Sequence, residues 1–142
     1  MTNIIVALHD EIEAIGESLH PVDEWNGIEL RDFDTAKIAT LHIVLTGDLF
    51  DDAIARYEPV YVSDVEGALV LRIPDEVTGR LAELDGEQLD QVATELAATE
   101  EFESGGWGEE AIAAILGELG ELAHFADSRG QVMFVWMHPL HT

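Results

Sequence analysis

Apolar positions along the chain recur at two spacings, one helical and one extended. At the start, Ile4, Ile5, Leu8, Ile12, Ile15 and Leu19 fall at helical intervals, yet Ile4 to Val6 is a β-branched run that favours an extended chain. Two readings stay open: a short strand running into a helix, or one helix ending before Pro21. The stretch VDEWNGIELRDFD that follows carries the turn pair Asn26-Gly27 and reads as a loop, with Trp25 anchoring it to the core.

Asp34 suits the cap of a helix over TAKIATLHIVL, where Ile38, Leu41 and Leu45 form one stripe and Gly47 can close the end in a left-handed conformation. Asp48 suits the cap of a shorter helix, LFDDAIARY. EPVYVS and ALVLRI read as two strands joined by DVEG in the manner of a hairpin, and their weak alternation implies that both faces are partly covered. Pro74 opens a helix with Val77, Leu81 and Leu84 on one face. Asp85 and Gln88 have the spacing of a capping box for a helix running to Glu101, with Leu89, Val92, Ala93 and Leu96 inward.

SGGWG breaks that helix. A last one, from Glu109 to Ser128, directs Ile112, Ile115, Leu116, Leu119, Leu122 and Ala126 inward, and Glu109 and Glu110 sit at the positive end of its dipole. Gly130 stops it and VMFVWM forms a final strand. The pattern predicts an α+β fold: a small sheet of three or four strands covered by four to six helices, in one globular domain over residues 1–142.

Charge changes this picture more than composition does. Apolar residues make up 47% of the 142, a globular proportion, while thirty Asp and Glu face six Lys and Arg for a net charge of −24. From Asp75 to Asp127 there are fifteen acidic residues against Arg80 alone, which predicts an acidic helical surface carrying Glu95, Glu100, Glu101, Glu103, Glu109 and Glu110. Such a field repels nucleic acid and anionic membranes and attracts cationic proteins. It also suits solubility or salt adaptation, or a row of carboxylates imitating DNA phosphates. With no cysteine, no signal-peptide order at the start and no apolar run near the roughly 20 residues of a membrane span, the expectation is a cytoplasmic protein that neither enters nor binds membranes.

The segment DFDTAKIATLHIVLTG resembles the D-L-D-K-A-W…L-H-x-L-L-T-G core of the YfbM-like proteins, a bacterial family of unknown function. ALVLRIPDEVTGRLAEL is similar to that family's strand and Pro-initiated helix, and the long helix, Gly and hydrophobic strand at the end are similar too. The likeness covers residues 32–137, with Leu41-His42 and Leu45-Thr46-Gly47 as its motif. It departs in that the aromatic residue following the family's first Lys-Ala is not in register here, and in being one residue longer before Leu41-His42. It implies a bacterial origin and a fold, and carries over no activity.

Candidate chemistry is sparse. His42 and Thr46 lie one turn apart, so an imidazole and a hydroxyl share a helix face, and with Trp25 they define a candidate cleft for a small enzyme or ligand-binding domain, His42 acting as a general base. The same His42 also fits a core position with satisfied hydrogen bonds. His9 and Glu13, four apart, offer two metal ligands where a catalytic zinc centre needs three, so no metal and no cofactor is expected. His138 and His141 flank the C-terminal Pro139-Leu140, and His20 and His124 have no partner visible in sequence. Glu100, Glu101 and Glu103 are too close along one helix to face each other across a substrate. Nucleophile-elbow, dinucleotide and P-loop motifs do not occur. The expectation is therefore a non-enzymatic binding or regulatory module, immunity- or antitoxin-like, whose acidic surface meets a basic protein, with the His42 cleft as the alternative.

Overall fold

All six residues of Thr2–Ala7 are buried, so the β-branched run at the start forms a strand (β1) covered on both faces. The computed structural model describes residues 2–18, 20–31, 33–64 and 67–138. Strand β1 pairs antiparallel on one side with β2 (Asn26–Leu30) and on the other with β5 (Val132–Met137). Beyond β5 come β4 (Leu69–Arg72) and β3 (Tyr61–Val62), all antiparallel, giving the order β2-β1-β5-β4-β3. The register aligns Ile4, Val135 and Leu71 across three strands on one face and sets Ile5 beside Phe134 on the other.

Those two faces make two cores. Ile4, Val6, Leu71, Met133 and Val135 pack against a layer built from α2 (Thr35–Thr46), α4 (Asp75–Ala82), α5 (Gly86–Ala97) and α7 (Glu109–Arg129). Ile5, Ala7, Val70, Phe134 and Trp136 face the other way, under Ile15 of the short helix α1 (Ile12–Glu17) and beside Trp25. A Cβ at Gly16 of α1 would overlap the Tyr61 ring, so glycine lets this helix lie close on β3. Two single-turn helices complete the set, α3 (Phe50–Ala55) and α6 (Glu100–Glu103).

The architecture is α+β, with five strands and seven α-helices among the described residues where three or four strands and four to six helices were expected. The first added strand is β1, which settles the open choice at the N-terminus in favour of a strand running into a helix. The second is β2, read as a loop because of Asn26-Gly27. Gly27 sits inside the strand instead, opposite Ile5, where a side chain would collide with the backbone of Ile4. The helix expected to run to Glu101 ends at Ala97 and restarts at Glu100 as α6. The expected hairpin strand EPVYVS is a strand over Tyr61 and Val62, flanked by backbone hydrogen bonds from Val60 to Val70 and from Ser63 to Ala68; residues 65 and 66 of its link lie outside the described residues.

Candidate functional site

Helix α2 owes its ends to two local devices. Asp34 accepts a hydrogen bond from the Lys37 amide at its start, and Gly47 adopts φ 80° at its close, its N–H bonding the Ile43 carbonyl. In the last turn the Thr46 hydroxyl donates to the His42 carbonyl at 2.8 Å and accepts the Asp48 amide at 3.2 Å. This turn aims the His42 side chain inward and returns Asp48 towards it.

His42 is 0% exposed, and both ring nitrogens are engaged. Nε2 lies 2.6 Å from Asp48 Oδ2 and Nδ1 lies 3.0 Å from the Tyr57 hydroxyl just after α3, with the two rings edge to face at 5.6 Å. An ionised carboxylate only accepts, so Nε2 carries the proton donated to Asp48, and with that tautomer Nδ1 accepts from Tyr57. The hydrogen bond from His42 holds the Asp48 carboxyl below its ordinary range, and burial pushes the Tyr57 phenol up, keeping it protonated. The His42–Asp48 contribution to stability is therefore present above the ordinary carboxylate pKa near 3.8 and is lost as pH falls through the lowered value.

A general base needs a lone pair that a substrate proton can reach. Here the imidazole offers none: one nitrogen carries its proton to Asp48, the other is taken by Tyr57, and the ring itself has no exposed surface. The arrangement ties α3 and the 47–49 turn to α2. Asp48 consequently does not cap the next helix, as expected from sequence; Leu49 holds the cap position without a side-chain bond. Sequence reasoning missed Asp48 and Tyr57 as partners because they stand 6 and 15 residues from His42, beyond any helical spacing.

Trp25, the third residue of the candidate cleft, packs with the Ile5, Phe134 and Trp136 cluster across the sheet from α2, and its indole N–H donates to Glu11 at 3.0 Å. His42 and Thr46 are together; Trp25 is not with them. His9 and Glu13 are both exposed, on a 3-10 turn and on α1, and no three potential ligands converge on a metal site among the described residues. His20 is also exposed, bridging Asp23 and Glu29 at 2.7 Å each, which raises its pKa. His124 is exposed on α7, His138 is buried beside Trp136, and His141 lies outside the described residues.

The six acidic candidates lie on three successive helices. Glu95 is exposed near the end of α5, Glu100 and Glu103 are exposed on α6 with Glu101 half-buried, and Glu109 and Glu110 are exposed in the first turn of α7. Side-chain contacts tie the ends of these helices to their neighbours. Thr94 donates to Glu109 at 2.7 Å, linking α5 to α7, while Trp107 of the intervening turn packs edge to face on Phe102 and on Phe33, each at 6.0 Å. Among the described residues, Lys and Arg form two ion pairs, Lys37–Asp34 and Arg72–Asp75, and neither involves this surface.

No helix among the described residues is long and apolar enough to cross a membrane. No protein-family model, curated protein or solved structure matches the chain.

Proposed function

We propose that this chain is a non-catalytic binding module, regulatory in the manner of immunity or antitoxin proteins, whose α5–α6–α7 surface engages a basic protein. One observation supports this reading above the others: Glu95 near the end of α5, Glu100 and Glu103 on α6, and Glu109 and Glu110 at the start of α7 are all exposed, and neither ion pair of Lys37 or Arg72 uses them. Uncompensated charge on a rigid surface steers an oppositely charged partner and speeds its encounter, at the expense of self-repulsion within the chain. The enclosure of His42 supports the non-catalytic half of the proposal. Membership of the YfbM-like family belongs to the same reading, supported by the motif Leu41-His42…Leu45-Thr46-Gly47, of which His42 and Thr46 bond within the α2–α3 joint.

The test is capture from a native lysate at about 50 and about 500 mM NaCl, where the Debye length falls below about 5 Å at the higher salt. The bait is the wild-type chain or the variant Glu95→Gln/Glu100→Gln/Glu103→Gln/Glu110→Gln; Glu109 is spared because it holds Thr94. A control variant neutralises four exposed carboxylates elsewhere, Glu13, Asp51, Glu58 and Glu76. The proposal expects a basic protein retained at low salt by wild type and control and lost by the patch variant. Equal retention by all three, or an empty wild-type lane, sinks it.

A further inference from the structure

The two edges of the sheet differ. The β3 edge is two residues long with Pro59 just before it, both common devices for keeping an edge from pairing. The β2 edge is five residues long and carries neither Pro nor Lys, and its only strand partner among the described residues is β1. Among the described residues, one side of β2 is therefore a row of backbone donors and acceptors about 16 Å long with no strand paired to it.

Alongside this edge runs a groove of about 380 Å³ between β2 and the middle of α7. Asn26, Gly27 and Ile28 form one wall, and Glu118, Glu121, Leu122 and Phe125 form the other. The α7 residues recur at helical intervals and so present one stripe along the groove. Leu122, Phe125 and Ile28 are half-buried and supply apolar contact, while both glutamates are exposed. Arg129 lies over the Phe125 ring at 4.8 Å and closes the stripe at its C-terminal end.

From these features we infer that β2 is a docking edge for an extended segment of a basic partner, which joins the sheet as a sixth strand. Backbone hydrogen bonds to β2 supply affinity; alternate side chains of the segment enter the groove, apolar ones on Ile28, Leu122 and Phe125, and Lys or Arg on Glu118 and Glu121. Charge selects this occupant over a second copy of the chain. Two copies would bring together two bodies of net charge −24, which opposes association. A basic strand meets attraction instead. The inference goes beyond the α5–α6–α7 proposal and does not depend on it, because the groove uses β2 and the middle of α7.

The probe is a synthetic peptide, Val-Thr-Lys-Thr-Val-Thr-Lys, whose groove-facing alternate positions are valine and lysine in turn. One comparison peptide replaces lysine by glutamate; the other replaces valine by proline, which keeps the charge and removes backbone donors. Binding is followed by fluorescence anisotropy at about 50 mM NaCl, and amide hydrogen exchange locates the peptide. The expected result is protection of β2 amides, with binding at least about tenfold weaker for either comparison peptide and for Glu118→Lys/Glu121→Lys, whose changes are confined to exposed positions on α7. Equal binding of the lysine peptides with and without proline would show charge attraction alone and overturn the inference. So would protection that spares β2, an unchanged affinity for the charge-reversed variant, no binding of the valine-lysine peptide, or a β2-protected dimer of the chain without peptide.

Discussion

Replacing Tyr57 by Phe removes one oxygen atom and separates a structural His42 from a working one. Tyr57 is 4% exposed and His42 is 0% exposed, so the Nδ1 lone pair left behind has no solvent to turn to. An orphaned buried acceptor costs about 1 to 3 kcal/mol. With an unfolding entropy of about 2.1 cal/mol/K per residue, a chain of this length loses about 3 °C of melting temperature per kcal/mol, so the expected drop is about 3 to 10 °C. Asp48→Asn should cost less, because its side chain is 38% exposed and an amide oxygen can still accept from Nε2. The double variant should lose less than the sum of the two, since both act through one imidazole. Calorimetric melting at neutral pH measures all three. A Tyr57→Phe protein melting within about 1 °C of wild type would show that the joint carries no stability, and the structural account of His42 would fail with it.

Three further outcomes follow from the same structure. Truncation after Gly130 removes β5, the middle strand, with Met133, Phe134, Val135 and Trp136 all at most 1% exposed; at about 1.5 to 3 kcal/mol per side chain against a total of about 5 to 15, circular dichroism should show no cooperative melt, and a folded fragment would refute the central placement. The melting temperature should rise with NaCl, because the Debye length shrinks from about 30 Å at 0.01 M to about 3 Å at 1 M and relieves carboxylate repulsion; a flat or falling curve contradicts this. His20 has a raised folded pKa, so its contribution is fully present below 6.5 and is lost as pH rises through the raised value. Urea titrations of His20→Gln should accordingly show its deficit at acid pH and convergence with wild type at alkaline pH, whereas a constant deficit would mean the charge is irrelevant.

What the sequence made legible depended on how local the signal was. β5 stands out because a strand covered on both faces is a continuous apolar run, and VMFVWM is one. Both ends of α2 are readable because Asp34 and Gly47 act within four residues of their partners. β2 was hidden by its position: an edge strand needs only Ile28 and Leu30 inward, and Asn26-Gly27 carries the stronger turn signal. Asp48 looked like a cap because capping depends on neighbours, whereas its actual partner is fixed by the return of the chain from α3. Trp25 was correctly placed against apolar residues, but which face of the sheet it covers follows from strand order, which no residue pattern encodes. The acidic run was legible as composition, whereas the contact of α5 with α7 through Thr94 and Glu109, 15 residues apart, was not.

The claim at the centre of this account is that the α5–α6–α7 carboxylates steer a basic partner, and the association rate tests it most directly. Stopped-flow or surface measurements with the protein captured from lysate should show kon falling steeply as NaCl rises from about 50 to about 500 mM, as for electrostatically steered pairs. In Glu95→Gln/Glu100→Gln/Glu103→Gln/Glu110→Gln, kon should drop at low salt and its salt dependence should flatten, with a melting temperature no lower than that of wild type. A variant that associates as fast as wild type, with the same salt dependence, would contradict the account.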